Sequence, residues 1–327
     1  MLKGVILALS ACFVWGLIFV IPTYLHAFSP IEIALGRHFV NGLTSLFFFC
    51  FCFKKLINLP KLMWFKALKF ALIVNIIYYT CIVLGVQLAD AAITTLIAGI
   101  APITIALYGN WQQNECDYKK LILPCILIFA GLILVNAQSL FTHSDTLSVN
   151  NYILGILFAS IALIAWSWFV VANTQFLKTC PTLTYFEWAS MLGVATLFWV
   201  VIGTAIMGFF VLDTSQLQRY MIPSDELTTF LVGIGILGCI CSWLGTFLWN
   251  SGCTHLPLSL SGQLTIFETL FGLTFVFALD QRLPTLLEFS GILLMLLAVL
   301  YCMNTFMPQH SHALPAAVKV KANDLPD

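Results

Sequence analysis

Charge is what this sequence has least of. Only 9% of its 327 residues are charged, fourteen basic and fourteen acidic, against 61% hydrophobic residues and a mean hydropathy of +0.99. About a quarter of the residues in a soluble domain are charged, so this scarcity excludes one. Zero formal charge gives no basis for binding nucleic acid or an acidic partner. Catalytic signatures are missing too: there is no HExxH, no Walker loop and no Gly-x-Ser-x-Gly, and "SLSGQ" near His255 lacks the glycine context of an intramembrane serine protease. The chain therefore reads as a non-enzyme that needs no cofactor. With no ATP-binding segment, it would draw its energy from a gradient or from the cargo itself. The eleven cysteines lack metal-like company. Cys50/Cys52 and Cys239/Cys241 sit in apolar runs with no histidine or carboxylate beside them, as small hydrophobes do.

What is abundant is the long apolar run. A bilayer core takes roughly 20 apolar residues per helix, and ten such stretches fall near 4–25, 31–53, 64–87, 91–111, 120–138, 152–175, 182–210, 227–251, 258–279 and 284–304. They are apolar all round, which argues against alternating barrel strands. The predicted fold is therefore an all-α integral membrane protein of ten transmembrane helices. The first stretch, "GVILALSACFVWGLIFVIPTYL", exceeds a signal-peptide core, is followed by no A-x-A-like cleavage site and reads as a retained span. Residues 305–327 are polar and read as a disordered cytoplasmic tail.

If the N-terminus is cytoplasmic, Lys3, Lys54, Lys55, Lys61, Lys66, Lys69, Lys119, Lys120, Lys178, Lys319 and Lys321 all fall inside, while Arg37, Arg219 and Arg282 lie on or toward the other side. By the positive-inside rule both termini are expected in the cytoplasm. The chain also repeats itself. Gly4, Trp15 and Pro30 correspond to Gly155, Trp166 and Pro181 at a constant offset of 151, and "IFAGLILV" (128–135) resembles "EFSGILLM" (288–295). Five helices per copy is an odd number, so the second copy must insert upside down. That predicts a first repeat over 1–138, an external linker over 139–151 and an inverted repeat over 152–304, with a site near the midplane between them.

These features together resemble the drug/metabolite transporter superfamily in its EamA-type ten-helix branch. The resemblance rests on "ACFVWGLIFV" followed by "SPIEIALGRHFV", "LIAGIAPITIAL" in helix four, "IFAGLILV" in helix five and the duplication. "AWSWFVVANTQFL" and "GQLTIFETLFGLTFVF" look most like amino-acid exporters, including those for aromatic amino acids. The resemblance implies a secondary-active inner-membrane exporter of a small amphipathic metabolite, with an amino acid as cargo. It also implies a lipid surround, protons as a candidate coupling ion and a monomer or homodimer. The alternatives are an exporter of cationic or drug-like compounds and a non-transporting scaffold. One departure stands out: the family's mid-helix proline is present as Pro102, but Glu268 occupies the matching place in the second half.

Glu268 is the leading candidate residue. About ten residues into its helix it lies near the midplane, on a face shared with Ser261, Thr265 and Gly272. Intramembrane acids of this kind face a cavity or a partner helix. It could hold a cargo ammonium, carry a proton or serve as a structural carboxylate. Arg37 and Glu187 differ in depth by on the order of 10 Å and are not expected to pair; they are candidate gating charges, or local caps. Trp15, Tyr78, Tyr79 and Trp166 are candidate cavity aromatics, with Pro102 permitting a helix bend. Trp64, Trp111 and Trp249 are assigned to the interfacial belt. The amides of Asn75, Asn173 and Gln263 must find partners away from water, on a cargo or between helices. The series Gly235, Gly238, Ser242 and Gly245 reads as close helix packing. His38 is expected to be a satisfied neighbour of Arg37.

Overall fold

In the computed structural model the described residues are 1–89, 91–141, 149–210, 220 and 222–306, with side chains described except at 91, 92, 138–141, 206–210 and 306. Most of the predicted linker, Arg219, Lys319, Lys321 and nearly all of the predicted tail lie outside them. All regular elements among the described residues are helical, as expected where the bilayer offers no partner for a free backbone N–H or C=O.

Among the described residues ten helices are long and apolar enough to cross a membrane: α1 (Leu2–Tyr24), α2 (Pro30–Ile57), α3 (Lys61–Leu88), α4 (Ile93–Gln113), α5 (Lys119–Ala137), α6 (Val149–Thr179), α7 (Tyr185–Ala205), α8 (Asp225–Cys253), α9 (Leu258–Leu279) and α10 (Leu286–Thr305). Three acids among the described residues complete reciprocal caps at helix starts. Ser29 and Glu32 form a capping box on α2, with Pro30 at its first position. Thr184 with Glu187 on α7, and Thr285 with Glu288 on α10, make the same reciprocal pair of bonds. The cap at Thr184 is why α7 starts at Tyr185 and not at the predicted 182, whereas α6 starts at Val149, three residues early.

Several spans are interrupted halfway. Helix α4 breaks at Ile100, between the helical segments Ala91–Gly99, which begins just before the span, and Ala101–Gln113, because Pro102 brings no N–H to the ladder. Helix α9 divides into Leu258–Leu264 and Ile266–Leu279 with no proline. There Thr265 Oγ1 donates to the Gly262 carbonyl at 2.6 Å, and the Glu268 N–H bonds only three residues back, to Thr265. Helices α3 and α8 carry π-helical segments at Leu72–Ile77 and Ile236–Leu244. Helix α1 tightens past Gly16 into 3-10 turns, Leu17–Phe19 and Ile21–Tyr24.

The helices pack as α5 on α10, α2 on α7, α1 on α8, α3 on α6, and the second half of α4 on the first half of α9. Close approach needs missing side chains. A Cβ on Gly131 would stand 2.7 Å from the Gly291 carbonyl oxygen, and one on Gly291 2.6 Å from that of Gly131. A Cβ on Gly262 would meet the Ala106 backbone nitrogen at 2.6 Å.

Candidate functional site

A cavity of about 470 Å³ opens inside the bundle, lined by side chains from α1 to α9, a volume typical of small-molecule sites. On α3 it runs from Val74 to Val86 and on α9 from Thr265 to Val276. In both helices that is the half farther from the lysine-bearing end.

Its wall is aromatic. The Trp15 ring lies 6.0 Å edge-on from Trp166 and 5.3 Å from Trp249, and Tyr78 lies 5.4 Å from Trp166. Trp15 is fixed by Nε1 donating to the Cys241 carbonyl at 2.9 Å, within the π segment of α8. This close fit requires Gly245, where any Cβ would run into the Trp15 indole nitrogen. Trp249 does not belong to an interfacial belt: it is 2% exposed and packs on Trp15. Its spacing with Gly245 and Gly252 puts all three on one face of α8, a signal available in the sequence.

Two charged side chains line the cavity, Arg37 and Glu268. Glu268 lies in the first turn of the second half of α9, where the free N–H groups of a helix start favour an anion. Among the described residues its carboxylate has no hydrogen-bond or ion-pair partner. Arg37 gives its Nε–H to Ser242 Oγ at 2.8 Å. Arg37 thus lines the chamber itself. Pro102, Asn75 and Tyr79 also line the cavity. Asn75 donates to Thr196 Oγ1 at 2.6 Å and Tyr79 to the Pro30 carbonyl at 3.1 Å. His38 is buried with neither ring nitrogen bonded, edge-on to Tyr79 at 5.9 Å, so the satisfied neighbour expected there is not found.

Three predicted site residues stand outside the cavity. Asn173, 1% exposed, accepts from Trp188 Nε1 and donates to Asn250 Oδ1, each at 2.7 Å, joining α6, α7 and α8. Gln263 is fully buried beside Cys125. Glu187 pairs with Lys55 at 2.8 Å besides capping α7. These bonds belong to a closed lysine-bearing end. There Lys55 also donates to the Thr182 carbonyl, Lys178 to that of Leu256, and Glu115 accepts from the Leu258 and Ser259 N–H groups at the start of α9.

Comparison with known proteins fits this geometry. Residues 2–137 match the EamA-like transporter family. The Escherichia coli (strain K12) "Inner membrane protein YtfF" is 30% identical over 304 residues, covering 91% of this chain and 94% of the relative. The chain belongs to the EamA-like transporter family. A solved protein crystal structure superposes on this EamA-like chain with a TM-score of 0.73 at 14% identity, over 95% of this chain and 99% of the other, which shows a shared fold. In this EamA-like transporter, sequence reasoning gives Ser242 only a packing role, puts Trp249 in the interfacial belt and gives Glu115 no site role.

Proposed function

We propose that this transporter exports a small amphipathic metabolite, an amino acid, across the inner membrane by alternating access between two inverted five-helix halves. The observation that carries the reading is the charge content of the cavity: one anion without a partner among the described residues and one cation, within a wall of aromatic, apolar and uncharged polar side chains. A zwitterion is neutral overall but needs both charges met when it leaves water. A chamber with one carboxylate and one guanidinium meets them together, with Glu268 facing the cargo ammonium or a proton. Export of organic cations would use Glu268 and the aromatic rings, but it would leave Arg37 in the same chamber repelling the cargo and holding no part of it.

The repeat-related pairs α5–α10 and α2–α7, and the interruption of both α4 and α9 halfway, support the inverted halves. With the lysines in the cytoplasm, the cavity described above faces outward and the cytoplasmic end is closed. The test is a thermal-shift screen of detergent-purified protein against the twenty amino acids and a panel of organic cations, followed by uptake of the hits into proteoliposomes. Stabilisation by amino acids supports the reading, since a ligand of the folded state raises apparent stability by mass action. Stabilisation by organic cations alone overturns it.

A further inference from the structure

The way Arg37 is held carries an inference that rests on the amino-acid reading and deepens it. Serines and threonines inside helices ordinarily return their hydroxyl to the carbonyl four residues back, as Thr44, Ser160, Thr174 and Ser190 do here. Ser242 bonds five residues back, to the Leu237 carbonyl at 2.9 Å. That reach follows from the π segment Ile236–Leu244, whose wider turn carries each residue one position further around the helix. With its proton committed to Leu237, the Ser242 oxygen is left as an acceptor, and it takes the Nε–H of Arg37 at 2.8 Å.

Nε sits at the base of the guanidinium plane. Bonding it fixes the plane and leaves the two outer nitrogens free. Among the described residues neither Nη of Arg37 has a hydrogen-bond partner, although the side chain lines the cavity. Arg282 is the contrast within the same chain. Its Nη1 and Nη2 each reach one oxygen of Glu288 at 2.9 Å, so its fork is filled. The Arg37 fork is equally suited to a carboxylate and is open toward the chamber. Gly238, on the same π segment, permits this approach: a Cβ there would stand 2.8 Å from the Arg37 carbonyl oxygen.

We infer that Arg37 grips the α-carboxylate of the cargo through its two outer nitrogens, that Ser242, presented by the π segment of α8, is the residue that positions it, and that Glu268 takes the ammonium end. Cargo orientation follows: the α-carbon lies between α2 and α9, and the side chain lies on the Trp15 and Trp166 wall.

The experiment compares each of the twenty amino acids with its own α-carboxamide, which keeps the ammonium and loses the carboxylate charge. Binding is measured on the full-length protein in detergent. The wild type is expected to bind the amino acid at least tenfold tighter than the carboxamide. Arg37→Gln should erase that preference by weakening the amino acid and leaving the carboxamide little changed. Ser242→Ala should narrow it several-fold and Ser242→Thr should restore it; a merely structural serine would lower stability without moving the ratio. Arg37→Gln and Glu268→Gln should combine non-additively on the amino acid.

If the wild type binds amino acids and carboxamides equally, the carboxylate grip is overturned while the amino-acid reading stands. If neither series binds, that reading fails and the grip fails with it. Because the wild-type comparison varies only the ligand, poor folding of a variant does not blunt the test.

Discussion

Two acids inside the spans, Glu187 and Glu268, have opposite surroundings. Glu187 is 6% exposed and held by its neighbours: one carboxylate oxygen accepts the Thr184 N–H and pairs with Lys55, and the residue starts α7. Glu268 faces the cavity with no protein partner among the described residues. A carboxylate bound in this way ties α7 to α2 at one end of the bundle. A carboxylate left open in a chamber is available to something that comes and goes. What distinguishes the two is whether the fold itself supplies a partner for the carboxylate.

The sharpest way to break the contrast is Glu268→Gln. It should weaken amino-acid binding by about 2–3 kcal/mol, the worth of a charged hydrogen bond, and leave the melting temperature of the ligand-free protein within error; titration calorimetry and a melt of the same sample check both. Glu187→Ala should do the reverse, with a stability loss of about 1–2 kcal/mol for a lost cap and a half-exposed ion pair. Amino-acid affinity should hold, as read by a denaturant titration beside the binding curve. Trp15→Phe tests whether the chamber wall follows the Glu187 pattern. Losing the bond to the Cys241 carbonyl should cost about 1 kcal/mol of stability. The smallest effect belongs to Glu187→Gln, which can still cap α7 and should stay within about 0.5 kcal/mol of wild type. A large loss there would mean that charge, and not capping, dominates at the closed end.

The ten spans are legible in the sequence because continuous hydropathy alone dictates them, and Pro102 marks the break in α4. The cavity aromatics Trp15, Tyr78, Tyr79 and Trp166 are legible from their depth. The break in α9 and the π segments are not, since they are shifts in backbone hydrogen-bond register that Thr265 or Ser242 could equally avoid in another helix. Ser242 reads as a packing residue in a glycine series for that reason. Asn173 has no legible role either, because its partners lie 15 and 77 residues away. Glu187 differs: Thr184-x-x-Glu187 repeats the spacing of Thr285-x-x-Glu288, a capping signature, so the local-cap alternative is legible from that spacing.

The glycine pair joining α5 to α10 has a consequence for biogenesis. Gly131 and Gly291 are 160 positions apart, and each leaves room for the carbonyl of the other. The fifth helix therefore enters the bilayer with a notch that only the last helix can fill. That seam can close only once α10 has been made, so α5 stays without this contact until synthesis has passed Gly291.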